Sequence, residues 1–176
     1  MTSRIRRSSP ARLSRTRWGA GQMVQGADTE AGPGVVDVVV AEGPAPAWVA
    51  GPLGLRPGSD VLSRSRRFLV DERPVQLAVS YYPADLVRGT RIAETDTGPG
   101  GAYARLAEQG HAPARFTEYV RGRVPSPVEA EGLGLLSGAF VLEITRHPFT
   151  AAGLCVEVNR MILDATAYIL DYSFDA

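Results

Sequence analysis

The chain has 176 residues, of which 44% are hydrophobic and 22% are charged. This length and composition predict one globular domain with an apolar core and exclude a disordered or low-complexity protein. No apolar run approaches the length of a membrane span, and the single Cys155 excludes an internal disulfide. We therefore expect a cytoplasmic protein with no membrane partner.

The formal net charge is zero, but the charges are unevenly distributed. Residues 1–24 carry six Arg and no acid, and every basic residue of the chain is Arg, which indicates a GC-rich, actinobacterial-like genome. Residues 1–33 lack helical or strand periodicity and are rich in Ser, Gly and Arg, which predicts a basic flexible arm or linker. A tail that neutralises nucleic-acid phosphates is the alternative.

The pattern changes to β-strand at "VVDVVVAEG", which begins at residue 35. A short helix in "PAPAWVAGPLGL" is interrupted by Pro52. The next two extended runs meet at a tight "DER" turn and predict a β-hairpin. A helical turn in "ADLVRG" follows, and "TRIAETDTGPGG" predicts a mobile connection that could order over a ligand.

In the second half, "GGAYARLAEQG" predicts a helix that ends at Gly110, and "ARFTEYVRGRV" alternates as a strand does. Ser126, Pro127 and Glu129 form the pattern of a capping box with proline at the first helical position. A second hairpin and a final strand, "AYILDYSF", complete the chain.

One phrase occurs twice in the sequence. "LGLRPGSDVLSRSR", residues 53–66, recurs in register as "LGLLSGAFVLEITR", residues 133–146; we name these the repeat copies. Each follows a strand and a short helix and leads into a hairpin. The expected fold is α+β: an antiparallel sheet built from two pseudo-repeated strand-helix-hairpin units, with short helices packed on it, over residues 34–176.

Arginine residues on the first hairpin suggest an anion site. Arg64 and Arg66 lie two apart and therefore share one face of a strand, which Phe68 continues. The helix that opens at Gly100 and Gly101 would present free N–H groups to a carboxylate or phosphate. The alternative is that both Arg simply lie on the solvated face of the sheet.

Other side chains give weaker indications. Ser80 faces the same way as Tyr82, while Tyr103 lies on a helix and Tyr119 on a strand; such aromatic residues serve a core or subunit contact more often than a ligand pocket. Hydrolase, nucleotide-binding and metal-ligand motifs are missing from the sequence, so we expect no enzyme activity, no metal and no cofactor.

The strings "RFLVDERPVQLAVSYYP", "GGAYARLAEQG" and "SPVEAEGLGLLSGAFVLEITR", in this order, resemble the UTRA domain of the HutC branch of GntR-type transcription regulators. The resemblance runs from about residue 34 to 174. It implies a chorismate-lyase-like fold, a homodimer and a sensor of a small anionic metabolite. It also implies DNA binding only through an N-terminal winged helix-turn-helix that this chain does not contain, with residues 1–33 similar to the linker.

The resemblance also implies site residues. Arg66 matches the family's strand arginine for the anionic group, and Gly101 and Tyr103 match its helix-opening motif. Sensors of amino-sugar phosphates have Arg, an acid and a hydroxyl residue where this chain has Phe68, Ala78 and Gly101, which favours a larger, more apolar anion, with Arg64 as a substitute donor. The candidate effector-binding residues are Arg64, Arg66, Phe68, Ala78, Ser80, Tyr82, Gly100, Gly101, Tyr103 and Tyr119.

Two alternatives remain open at this point. One is an enzyme of the related lyase fold that acts on an aromatic dicarboxylate through Arg66 and Glu118. The other is a dimerisation module whose site is occluded. Arg146, the counterpart of Arg66 in the second repeat copy, is expected to be structural.

Overall fold

The structure, a computed structural model, describes residues 4–28 and 33–173. Its strands are β1 (Ile5–Ser8), β2 (Gly34–Pro44), β3 (Asp60–Val70), β4 (Arg73–Pro83), β5 (Pro113–Arg123), β6 (Val141–Thr150), β7 (Val158–Asp164) and β8 (Tyr168–Asp171). Its helices are α1 (Ser9–Leu13), α2 (Arg15–Trp18), α3 (Ala47–Ala50), α4 (Ala84–Val87), α5 (Gly101–Glu108) and α6 (Pro127–Leu133). In these residues, none of the helices is both long and apolar enough to cross a membrane.

Six strands form one antiparallel sheet in the order β2-β3-β4-β7-β6-β5. The first three belong to one predicted unit and the last three to the other, so the two units meet at the β4–β7 seam. Gln76 pairs with Leu163 at one end of this seam and Tyr81 with Val158 at the other. The prediction of an α+β fold with one antiparallel sheet built from two units is therefore confirmed.

The repeat copies have the same backbone conformation at their glycines. Gly54 and Gly134 have φ of 65° and 62°, and Gly58 and Gly138 have φ of 81° and 83°. This left-handed region is costly for residues with a Cβ atom, so both units need glycine to leave the helix and turn into the next strand. Two apolar positions of the copies are buried in both units: Leu53 and Leu133 at the first, and Val61 and Val141 at the second.

The largest group of buried apolar residues lies where α5 packs on the sheet. Leu106 of α5 is fully buried against residues of β3 and β4 and against the N-terminal segment, including Trp18. Helix α6 begins with the predicted capping box, in which the Ser126 side chain accepts from the Glu129 amide and the Glu129 carboxylate accepts from the Ser126 amide. This helix packs over β4.

The N-terminal segment differs from the prediction of an irregular arm. In residues 4–28, β1 pairs in parallel with β8, α1 and α2 follow, and Val24–Ala27 forms a 3₁₀ turn. Trp18 is 1% exposed, and Arg12 forms a buried ion pair with Asp28 at 3.1 Å. Periodicity missed this segment because its elements have only four or five residues each, shorter than the windows in which an amphipathic pattern can be recognised.

The connection from α4 to α5 is also more structured than expected. Arg91–Ala93 forms a 3₁₀ turn in which Ile92 is fully buried. The guanidinium of Arg64 donates to the carbonyl oxygens of Ile92, Glu94 and Thr95. These bonds attach the connection to β3.

Candidate functional site

Two adjoining cavities lie among β3, α5 and the N-terminal segment. The inner cavity, about 50 Å³, is lined by β3, β4, β7 and the start of α5. The outer cavity, about 490 Å³, is lined by β2, β3 and residues 95–99. Met23, Gln25, Arg66 and Thr97 line both cavities and separate them.

Arg66 is the predicted anion-binding residue that lines both cavities. Its Nη2 donates to the Ser80 hydroxyl at 2.5 Å, and its buried Nε has no hydrogen-bond partner among the described residues. Arg67 pairs with Asp37, whereas Arg66 forms no ion pair within residues 4–28 and 33–173. Its charge therefore lies at the cavities without a salt bridge to any described residue.

The neighbouring Arg64 has a different environment. It is 3% exposed, and its donors are directed at the three carbonyl oxygens of the connection, although it lines the outer cavity. Burial lowers its pKa, because the charged form loses hydration. Phe68, 1% exposed, lines the same cavity with Val35 and Val38 and gives it an apolar wall.

The other sheet candidates lie at different distances from the cavities. Tyr82 lines the inner cavity. Ser80 is fully buried and contacts Arg66, and Ala78 lies directly opposite Arg66 in the β3–β4 register. Tyr119 lies outside both cavities: it is 61% exposed on the edge strand β5 and packs against His147. The structure therefore does not bring Tyr119 together with the other nine candidates.

Gly100 and Gly101 open α5 at the inner cavity, as expected, but the N-terminal segment covers them. The Gly100 amide donates to the Gly21 carbonyl at 2.9 Å, and Met23 lies against Gly101. Both glycines have positive φ, 78° and 68°. A side chain at Gly100 would lie 2.5 Å from the Trp18 carbonyl oxygen, so glycine is needed for this close approach.

The inner cavity also contains a carboxylate that sequence analysis missed. Glu157 is 2% exposed and accepts from the hydroxyls of Tyr82 at 2.7 Å and Tyr103 at 3.0 Å. Burial raises the pKa of both tyrosines, and the nearby carboxylate raises it further. Asn159 lines the same cavity, and its Oδ1 has no hydrogen-bond partner in the part of the chain that the structure describes. The only available signal for Glu157 was a single acid inside the apolar run "GLCVEV".

Arg146, the counterpart of Arg66, has a carboxylate partner. Its Nε donates at 2.8 Å to Glu118, which lies directly opposite in the β5–β6 register. In the first unit the β2–β3 register is interrupted between Val36 and Val39, opposite the corresponding arginine. Arg146 is 2% exposed and also lines the inner cavity, so its structural role stays a prediction.

Glu118 is the centre of a buried charged cluster. It accepts from Arg7 at 3.3 Å and from the Ser9 hydroxyl at 2.5 Å in addition to Arg146. Burial opposes its ionisation, but the two guanidinium groups and the hydroxyl outweigh burial and lower its pKa to about 2. Glu118 lines a separate open groove of about 1120 Å³ next to α1, not the cavities at Arg66. The Arg66–Glu118 pair considered for a lyase is therefore not assembled.

Comparison with protein families gives a match to the UTRA domain over residues 33–169. An uncharacterised HTH-type transcriptional regulator of Streptomyces coelicolor is 36% identical over 133 residues, which cover 74% of this chain and 49% of that protein. An uncharacterised HTH-type transcriptional regulator of Rhizobium meliloti is 35% identical over 126 residues, or 68% of this chain and 49% of that protein. The chain thus spans about half the length of the curated relatives it matches.

The fold of this chain is also similar to that of solved structures. PhnF from Mycobacterium smegmatis superposes with a TM-score of 0.78 at 22% identity over 98% of this chain and 72% of that chain. This likeness includes the N-terminal segment. With the family match over most of its length, the chain belongs to the UTRA domain family and has the fold of the effector domains of GntR-family transcriptional regulators.

Proposed function

We propose that this domain binds a small anionic metabolite at Arg66 and that the binding controls a DNA-binding domain in a longer regulator of the HutC type. The observation that carries the proposal is the guanidinium of Arg66, which lies between the two cavities and forms no ion pair with the residues that the structure describes. A buried or half-buried guanidinium without a carboxylate partner is costly, and an anionic ligand would offset that cost.

The shape of the site supports an effector with a charged end and an apolar body. The outer cavity, about 490 Å³, is in the size range of metabolite sites, whereas the inner cavity, about 50 Å³, has room for only a few water molecules. Phe68, Val35 and Val38 supply apolar surface in the outer cavity. A carboxylate or phosphate at Arg66 with its apolar part against these side chains fits this arrangement better than a sugar phosphate.

The proposal also includes a homodimer and control of a winged helix-turn-helix domain. The relatives are HTH-type regulators about twice as long as the matched region, which supports such a domain in a longer protein. Sedimentation velocity tests the dimer: we expect twice the mass of the chain, and a monomer at micromolar concentration would contradict this part.

Ligand binding is tested with a panel of aliphatic carboxylates, aromatic carboxylates and organic phosphates in thermal-shift assays. A ligand at 100 times its dissociation constant stabilises by about 2.7 kcal/mol, which raises the melting temperature by roughly 5–10 °C in a domain of this size. Arg66→Ala should weaken binding of each active compound about 10- to 100-fold.

The matched control is Arg67→Ala. Arg67 is the next residue on β3, so its side chain points to the opposite face of the sheet from Arg66, where it pairs with Asp37. Its removal should leave ligand affinity unchanged. Equal affinity of the wild type and Arg66→Ala would refute the site assignment. A panel without any stabilising compound would favour a dimerisation module with an occluded site.

A lyase on the same fold is the second candidate, because Glu157 is a buried acid in a cavity that Arg66 also lines. An assay of chorismate turnover separates the two functions. We expect no product at enzyme concentrations in the micromolar range; pyruvate release that is lost in Glu157→Gln would instead establish the enzyme.

A further inference from the structure

A continuous series of hydrogen bonds connects the inner cavity with the N-terminal segment. It begins at Glu157, which accepts from the Tyr103 hydroxyl at 3.0 Å. The same hydroxyl accepts from Arg146 Nη1 at 3.3 Å, and Arg146 Nε donates to Glu118 at 2.8 Å. All four side chains are at least nine-tenths buried, although Glu118 also lines the open groove next to α1.

The series ends at β1 and the start of α1. Glu118 Oε2 accepts from the Ser9 hydroxyl at 2.5 Å, and Oε1 accepts from Arg7 at 3.3 Å. Arg7 is 1% exposed and donates further to Gln76 of the central sheet. Each bond along the way has a defined direction, with hydroxyl and guanidinium groups donating to carboxylates or hydroxyls.

This arrangement makes the position of β1 sensitive to the cavity. Arg146 has two acceptor groups, the Tyr103 hydroxyl and the Glu118 carboxylate, and both lie in a region of low dielectric constant. If the tyrosine hydroxyl moves, the guanidinium reorients or leaves a donor unsatisfied, and either change alters its bond to Glu118. The hydrogen bonds that Glu118 accepts from Arg7 and Ser9 then change in geometry.

We propose that a displacement of the Tyr103 hydroxyl in the inner cavity changes the position of residues 5–9, and that Arg146 and Glu118 carry this change. The input, an effector beside Tyr103, rests on the proposed function. The coupling itself belongs to the protein without effector and can be measured without one. A failure of the coupling and a failure of effector binding are therefore distinguishable.

Tyr82 provides a matched control within the same cavity. Its hydroxyl donates to Glu157 Oε1 at 2.7 Å, as the Tyr103 hydroxyl donates to Oε2, but in the described structure only the Tyr103 hydroxyl also accepts a hydrogen bond from Arg146. Both tyrosines are buried, and both lose one hydroxyl when replaced by Phe. Only Tyr103→Phe interrupts the connection to Glu118.

The experiment is hydrogen–deuterium exchange of the β1 amides in the wild type, Tyr103→Phe and Tyr82→Phe. We expect exchange in residues 5–8 to increase about fivefold in Tyr103→Phe, the factor for the loss of one typical hydrogen bond. Tyr82→Phe should leave β1 at the wild-type rate. Equal increases in both variants, no increase in either, or an increase only in Tyr82→Phe would overturn the proposal.

If Tyr103→Phe does not fold, the coupling is tested from the other end: Ser9 is changed and exchange is measured at α5. Ser9→Ala removes the hydroxyl donor to Glu118, and coupling is reciprocal. Exchange at the first turn of α5, around Tyr103, should then increase several-fold. The control is Ser14→Ala, because in the described structure the Ser14 hydroxyl bonds only to the hydroxyl of exposed Thr16. An unchanged α5 in Ser9→Ala, or the same change in Ser14→Ala, would refute the connection.

Discussion

Glu118→Gln is the sharpest test of the buried charged cluster, because the variant keeps the side-chain shape and removes the charge. The environment of Glu118 lowers its pKa from the ordinary 4.5 to about 2. At about 1.4 kcal/mol per pKa unit, the ionised carboxylate contributes roughly 3 kcal/mol to folding at neutral pH. The melting temperature of the variant should therefore fall by roughly 6–12 °C.

The pH dependence follows from the direction of this shift. The folded state binds the proton of Glu118 more weakly than the unfolded chain does, so the contribution is complete above about pH 4.5. It decreases as the pH falls from 4.5 towards 2, where the wild-type carboxyl is protonated as well. Gln does not titrate, so the stability difference between the two proteins should narrow over this interval and vanish near pH 2.

The assay is urea unfolding of both proteins at pH 7, 4 and 3. Glu108→Gln is the control, since Glu108 pairs with Arg105 at the surface and its side chain is 57% exposed; we expect a loss below about 1 kcal/mol. If Glu118→Gln lowered the free energy of unfolding as little as the control does, our account of the cluster would be refuted. A difference that stays constant from pH 7 to pH 3 would refute it as well.

Three further variants test the packing. Leu106→Ala should lower the free energy of unfolding in urea by about 2–5 kcal/mol, because the side chain is fully buried. Its control, Leu136→Ala at an 85% exposed position, should change that free energy by less than about 0.5 kcal/mol. Gly100→Ala should lower stability by at least about 1 kcal/mol and change the fluorescence of Trp18, whose carbonyl oxygen it would contact; an unchanged spectrum would contradict the close approach. Ser126→Ala should cost about 1 kcal/mol in thermal unfolding by removing the cap of α6, and a neutral result would show that the cap is dispensable.

The repeat was sufficient to predict the sheet. Glycines at corresponding places in the two copies have nearly equal φ, as at Gly54 and Gly134, so the sequence similarity reflects an equal requirement of the backbone. Two three-stranded units that share one core join along one edge of each, which gives the observed order β2-β3-β4-β7-β6-β5. The pairing of β1 with β8 could not be predicted, because four-residue strands carry too little periodicity.

The candidate site was predictable only in part. Arg66, Tyr82, Gly100, Gly101 and Tyr103 line the inner cavity together, although they come from separate elements. Neither the carboxylate of the cavity nor its covering by the N-terminal segment could be predicted. Both depend on contacts between residues far apart in the sequence, and a single buried acid has no motif of its own.

The parallel pairing of β1 with β8 has a consequence for how the chain folds. It joins residue 5 to residue 168, whereas the two strands of each hairpin are neighbours in the sequence. Contacts of such sequence separation form late, because the loop they close is long. Among the strands of this domain, β1 is synthesised before the others, yet its partner strand is made after the whole six-stranded sheet. The buried arginines of the N-terminal segment therefore remain in solvent until translation of the domain is nearly finished, and the inner cavity is covered only in that last step.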